Sequence, residues 1–313
     1  MLLTQIIGKK IWETGILPFS RGGLPFDPLG QAFPTLTFSL SLASWSFLFQ
    51  NAGMYDLKNR IALVTGANSG IGKAATERFL LLGAKVAALG RSEEKVFKTV
   101  EELSSLGTII PVVADVADEE AVAAAIQECV DKLGGLDIVF SNAGINGTWA
   151  PIDEIEVEEW DKTIAVNLRG TFLVTKFAVP HMKKNGGSII ITSSINGTRV
   201  FSTAGATAYS STKAAQVAFA KMTALELAKY RIRVNVICPG AIRSAIGEKT
   251  KKRKIDKAGE PSKYPEGEIP LTDGEPGESE EVANLVMFLA SDEALHISGT
   301  EVWIDGAQSL LMG

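Results

Sequence analysis

The sequence predicts an α/β fold, a doubly wound parallel sheet of about seven strands with helices on both faces. Three observations predict it. From Met54 onward, short β-branched apolar runs alternate with helical patterns, as buried parallel strands and their crossovers do. A glycine cluster stands between the first such run and the first helix. Hydrophobic residues make up 46% of the 313-residue chain against 21% charged, the balance of a protein that buries a large core.

In chain order, residues 1–53 come first and differ from the rest. No charged residue occurs from Pro28 to Tyr55, and Thr35–Phe49 is rich in Phe, Leu and Ser. That run is too short for a spanning helix of about 20 apolar residues and carries six hydroxyls. Lys9 and Lys10 lie too far upstream to make it a secretory signal. The segment reads as a poorly ordered extension ahead of one domain, residues 54–313, although Thr35–Leu42 alternates with the period of a strand.

The first strand, Ile61–Thr65, runs into Thr65-Gly66-Ala67-Asn68-Ser69-Gly70-Ile71-Gly72 and the helix Ile71–Leu82. Glycines at 66, 70 and 72 let the backbone turn tightly and approach a pyrophosphate, while helix N–H groups face its charge. Glycine clusters also serve ordinary turns, but this one sits between strand and helix, as in a Rossmann-type dinucleotide site. The second strand, Lys85–Leu89, ends in Gly90-Arg91-Ser92. A carboxylate there would bind the adenosine ribose and repel a 2′-phosphate. Its absence, with a guanidinium and a hydroxyl following, favours NADP and leaves NAD open. Helix Glu93–Ser105 follows, then strand Ile109–Val113 and Ala114-Asp115-Val116. Here Asp115 can accept the adenine amino group or cap helix Glu119–Leu133, a task open to Asp118 as well. Strand Leu136–Phe140 leads to Ser141-Asn142-Ala143-Gly144, a small-residue turn in which Asn142 can also brace neighbouring strands.

A long helix is expected over Val157–Lys184, then strand Ser188–Thr192 ending in Ser193-Ser194, whose hydroxyls can donate to a substrate carbonyl. Tyr209-Ser210-Ser211-Thr212-Lys213 opens the next helix, continued by the pattern Ala214–Tyr230. Residues four apart share a helix face, so phenol and ammonium converge. A free phenol with a pKa near 10 is a poor base at pH 7, and a neighbouring ammonium favours its phenolate. Strand Ile232–Ile237 precedes Ala245–Gly277, which holds six basic residues between 249 and 257, then glutamates, glycines and prolines. It is either a solvated excursion or a lid over the site at the strand ends. Helix Ser279–Ala290 and strand Thr300–Ile304 complete the domain.

From Asp56 to about Gly306 the chain resembles the short-chain dehydrogenase/reductase family, in its compact single-domain branch. Thr-Gly-x-x-x-Gly-x-Gly at 65–72, Asn-Ala-Gly at 142–144, Asn167 in Val-Asn-Leu-Arg-Gly and the Tyr209/Lys213 pair match its motifs. Pro239-Gly240 and Ile297-Ser298-Gly299 match as well. The resemblance implies Tyr209 as general acid/base, Lys213 as tuner of the phenol and binder of the ribose, and Ser194 as orienter of the carbonyl. It also implies that Asn167 holds a water linking Lys213 to solvent. Gly197, at the family's offset, selects Ser194 over Ser193. The cofactor set it implies runs through Gly66, Asn68, Ser69, Gly70, Ile71, Gly72, Arg91, Ser92, Asp115, Val116, Asn142, Ala143, Gly144, Pro239, Gly240, Ile242 and Ser244, the last standing where the family often has threonine. The interval from Ser194 to Tyr209 is slightly longer than usual, so Thr198–Ala206 is expected to bulge.

The expected activity is hydride transfer between a nicotinamide and a carbonyl or secondary alcohol, with a mostly apolar substrate pocket near Ile145, Trp149, Asn196, Phe201 and Ile242. Two other readings stand beside it. A catalytically silent regulator or scaffold of the same fold need not keep Asn167, Ser194, Tyr209 and Lys213 together. A sugar-nucleotide epimerase would need a longer C-terminal part. Two histidines, His181 and His296, and two distant cysteines, Cys129 and Cys238, give no basis for a metal site. A net charge of −5 without a large basic run argues against nucleic acid. A cytoplasmic homo-oligomer, in particular a tetramer, is expected, because two helices are apolar on more than one face.

Overall fold

The computed structural model describes residues 55–244, 247, 250–259 and 269–311. The extension 1–53, with its alternating segment, lies outside the described residues. Seven parallel strands form one sheet: β1 Ile61–Thr65, β2 Lys85–Gly90, β3 Ile109–Val113, β4 Ile138–Ser141, β5 Gly187–Thr192, β6 Ile232–Pro239 and β7 Glu301–Ile304, in the order β3-β2-β1-β4-β5-β6-β7. Their apolar runs are buried because the helical crossovers cover both faces. Along β1 the side chains alternate: Ile61 and Leu63 enter one core, Ala62 and Val64 the other. The first core is closed by α3 Glu119–Leu133, α5 Gly170–Met182 and α6 Thr207–Leu227; the second by α1 Gly70–Leu81 and α7 Ser279–Ala290. Helix α2 Glu93–Leu103 covers the β2–β3 edge, with Leu103 in the second core.

Strand order reverses between β1 and β4, which opens a crevice at their carboxyl ends. Local chemistry fixes the ends of the surrounding elements. The Asp118 carboxylate accepts from the Ala121 N–H at 3.0 Å and caps α3, so this task falls to Asp118 rather than Asp115. Gly134, in the left-handed region, stops the same helix.

Three elements depart from expectation. The helix expected over Val157–Lys184 is broken into α4 Val157–Ile164, a π turn Ala165–Arg169, and α5. Asn167 causes the break: its side chain bonds the Ile145 backbone in both directions, at 2.8 and 2.9 Å, and widens the turn that carries it. Helix α6 begins at Thr207, so Tyr209 and Lys213 sit inside its first two turns. Two-residue strands, Thr148–Trp149 and Lys251–Lys252, pair in parallel outside the main sheet, because residues 251–253 run against the segment after β4.

Candidate active site

A cavity of about 610 Å³ opens at the crevice, within the range of small-molecule sites. Its floor comes from the β1–α1 turn. Gly66 has φ of 68°, and a Cβ at Gly72 would overlap the Gly66 carbonyl oxygen, so the turn closes only with glycine there. Gly66, Ser69, Gly70 and Ile71 line the cavity at the N-terminus of α1, where backbone N–H groups lack helical partners. Asn142, Ala143 and Gly144 form the opposite wall. Asn142 ties three strands together. Its N–H and Nδ2 donate to Thr65 of β1, and its Oδ1 accepts from Thr192 of β5. These residues fit a dinucleotide: a glycine cradle, unpaired helix donors and a wall of small side chains.

Arg91 lines the cavity and lies 3.5 Å from the Asp115 carboxylate. Asp115 also accepts from the Ala117 N–H at 3.0 Å. Asn68 lies across Gly90, its Oδ1 within 2.8 Å of where a Cβ would stand. Ser92 occupies the N-cap position of α2 with no side-chain capping bond, and Val116 is buried against Gly170. Pro239, Gly240, Ile242 and Ser244 line the far wall after β6. The Gly240 N–H donates to the Ile304 carbonyl at 3.0 Å and ties that wall to β7.

The reacting end gathers Ser194, Tyr209 and Lys213 on the cavity wall. Ser194 shares the cavity lining with Tyr209, and its Oγ accepts from the Asn196 N–H at 3.1 Å. Ser193 turns away and donates to the Lys213 carbonyl at 2.8 Å. Lys213 is 3% exposed. Its Nζ donates to the Thr192 carbonyl at 2.8 Å and to Gln216 Oε1 at 3.1 Å. It lies 5.5 Å from the centre of the Tyr209 ring.

Burial pushes the Tyr209 phenol above its ordinary range, with Ser194 opposing that rise. The ammonium's hydrogen bonds go to Thr192 and Gln216. Burial meanwhile brings Lys213 down to about 8. Asn167, fully buried, spends its side chain on Ile145 and on Thr212, whose hydroxyl accepts from Nδ2 at 3.1 Å. Both Asn167 side-chain hydrogens thus go to protein acceptors, and Gln216 bonds Lys213 directly. The resemblance gave no hint of Gln216. The available signal was a polar amide one turn after Lys213 on a face otherwise continued by Val217 and Ala220.

On the substrate side Ile145 and Ile242 line the cavity, while Trp149, Asn196 and Phe201 lie outside its lining. The Trp149 indole donates to the Asn146 carbonyl and carries Lys252 over its ring, Asn196 accepts from Thr203, and Phe201 is 76% exposed. The described part of 245–277 reaches the cavity through Lys251. Among the described residues no cluster of His, Cys, Asp or Glu could hold a metal ion, and no helix is long and apolar enough to cross a membrane.

Known proteins resemble this chain in sequence and fold. A family model described as enoyl-(acyl carrier protein) reductase matches residues 66–307. The chain is 39% identical to a 3-oxoacyl-[acyl-carrier-protein] reductase, FabG, of Thermotoga maritima, over 80% of this chain and 98% of that one. Among solved structures, a 3-ketoacyl-ACP reductase from Sinorhizobium meliloti superposes with a TM-score of 0.78 at 52% identity, covering 80% and 99% of the two chains. A 3-ketoacyl-(acyl-carrier-protein) reductase from Brucella melitensis, complexed with NADH, gives 0.71 at 30% identity over 81% and 99%.

Proposed function

The chain belongs to the short-chain dehydrogenase/reductase family, NAD(P)-dependent enzymes of CH–OH and C=O groups, and on that premise we propose that Tyr209 is the general acid/base of its hydride transfer. The observation that carries the reading is the convergence of Ser194, Tyr209 and Lys213 on one cavity wall, with the ammonium 5.5 Å from the phenol ring. When bound, the nicotinamide supplies or takes the hydride. The chain's own residues handle the proton and the oxygen. Ser194 donates to the substrate oxygen and fixes its position. Tyr209 gives its proton to that oxygen as a phenol in the reductive direction, and as a phenolate takes the alcohol proton in the oxidative one. Lys213 sets the charge beneath the phenol and offers its remaining N–H to the cofactor ribose.

The same reading assigns Gly66, Ser69, Gly70, Ile71, Asn142, Ala143, Gly144, Pro239, Gly240, Ile242 and Ser244 to the cofactor, with Arg91 favouring NADP. The NADH-bound relative keeps NAD in view as the alternative coenzyme. A ketone or secondary alcohol is the substrate class. Because two similar proteins are named for 3-oxoacyl reduction, a 3-oxoacyl thioester is the first substrate to test. Segment 245–277 acts as a lid on this site, supported by Lys251 on the cavity wall and by the bridge between Ile242 and Gly277 that closes its base. Free, buried Cys129 and Cys238 suit a reducing, cytoplasmic setting.

The test is Tyr209→Phe. Turnover of the 3-oxoacyl thioester, followed by nicotinamide absorbance, should fall at least about 100-fold. Cofactor Kd should stay nearly unchanged. A folded variant that keeps most of its kcat would remove Tyr209 from the chemistry.

A further inference from the structure

Gln216 is 1% exposed, lies one turn beyond Lys213 on α6, and has every polar group committed. Its Nε2 donates to the Asn167 carbonyl at 2.8 Å and to Thr171 Oγ1 at 2.8 Å, and its Oε1 accepts from Lys213 Nζ at 3.1 Å. The orientation of this amide follows from its neighbours. The Thr171 hydroxyl donates its own hydrogen to the Asn167 carbonyl at 2.8 Å, so toward Gln216 it can only accept. Rotating the amide would set its oxygen against the Asn167 carbonyl and its NH₂ against an ammonium. Two acceptors on one side and a cation on the other therefore fix the oxygen toward Lys213.

The arrangement also places Gln216 between Lys213 and the backbone carbonyl of Asn167. That carbonyl receives Thr171 and Gln216, and Asn167's side chain is spent on Ile145 and Thr212. A buried ammonium needs acceptors in proportion to its charge, because leaving it unpaired in an apolar setting costs far more than a neutral bond returns. Lys213 has two among the described residues, Thr192 and Gln216. The titratable groups facing Lys213 are Tyr209 on its own helix and Cys238 on β6, whose thiol burial pushes up to about 12 and so keeps neutral.

We propose that Gln216 is a positioning residue, which holds the Lys213 ammonium by its amide oxygen while its NH₂ anchors it to the Asn167 carbonyl and Thr171. This deepens the reading of Tyr209 and Lys213 as the proton-handling pair and rests on it. Because Gln216 and Thr192 hold two of the three Lys213 hydrogens, the third is left for the cavity. Removing the amide oxygen disfavours the charged lysine, so the ammonium form is lost at lower pH.

The experiment follows the Lys213 Cε resonance by NMR in the cofactor-free full chain, assigned with Lys213→Arg. The pH dependence of kcat/KM is measured alongside. In Gln216→Met the titration midpoint and the alkaline limb should both move down by about one pH unit, the size expected for one charge-assisted hydrogen bond. In Gln216→Glu, with the Thr171 hydroxyl turned to donate to the new carboxylate, both should move up. A folded Gln216→Met with the wild-type midpoint would overturn the proposal. If that variant does not fold, an unchanged midpoint in Gln216→Glu would overturn it instead. The resonance reads Lys213 without turnover, so a failed Tyr209→Phe test leaves this result separately interpretable.

Discussion

The proposed preference for NADP rests on two adjacent residues, Gly90 and Arg91. A Cβ at Gly90 would stand 2.7 Å from Val96 Cγ2 and 2.8 Å from Asn68 Oδ1. Gly90→Asp is therefore not a simple gain of a ribose acceptor, since Asn68 must move before a carboxylate fits. Arg91 is the cleaner probe. It is exposed, lines the cavity, and is shared with Asp115 at 3.5 Å. Arg91→Ala removes a charge-assisted bond of about 1.5–3 kcal/mol to a 2′-phosphate, so kcat/KM for NADPH should fall roughly 10- to 150-fold. NADH, lacking that phosphate, should lose much less. Equal losses would mean that the guanidinium packs on adenine. The Tyr209/Lys213 pair was legible in the sequence because helical spacing alone brings the two together. Gln216 was not, because its partners Asn167 and Thr171 arrive from a different helix, and nothing in a linear reading sets them opposite. Lys213 shows the same limit for charge. Its folded value near 8 lies below the ordinary 10.5, so the folded chain binds fewer protons between those values. The destabilisation from burying its charge is full below about pH 8 and is relieved as pH rises toward 10.5. Activity that needs the ammonium runs the other way and declines as pH rises through about 8.

At the scale of elements, the seven strands were readable because each is a short apolar run bounded by turn residues. Their ends moved by at most two residues, as for β4, expected from Leu136 and found from Ile138. The π turn was not readable, since Val157–Lys184 keeps a continuous helical pattern and only the pull of Asn167 toward Ile145 breaks it. The excursion after β6 was visible by composition, but its anchorage was not. Lys251–Lys252 pairs with Thr148–Trp149, and the Arg253 N–H donates to the Trp149 carbonyl at 2.9 Å. The Arg253 guanidinium reaches the Glu159 carboxylate at 2.8 and 3.2 Å and also the Glu154 carbonyl. The Arg253 hydrogen bond holds the Glu159 carboxyl down at about 2. What that pair contributes is present above the ordinary carboxylate range and lost only as pH falls through about 2. Arg253→Ala should loosen this tie beside the cavity, raising KM for the ketone several-fold while kcat and cofactor Kd change little. An unchanged KM would reduce the tie to a surface contact.

For the whole molecule, what α6 leaves uncovered argues for association. Ala214, Ala218, Met222 and Leu225 recur at helical spacing and are exposed, Met222 at 73% and Leu225 at 82%. They form an apolar stripe on the side of α6 away from the buried Val217, Ala220 and Ala224. Phe172 of α5 is exposed as well, at 45%. One exposed leucine is ordinary, but a stripe running along a helix that already buries its other face calls for a second partner. A second copy of this chain meets the requirement by a two-fold axis, and further exposed leucines, Leu271 and Leu310, offer a second surface. We therefore expect a homotetramer. Light scattering at micromolar concentration should give about four times the chain mass, and Met222→Glu with Leu225→Glu should reduce it. The sheet and both cores are built from residues after Met54. A chain begun there should accordingly keep the tetramer, its Tm and its kcat/KM. A monomer from the intact chain would refute the stripe as an interface. A truncated chain that loses several degrees in Tm would show that the first 53 residues contribute to the fold.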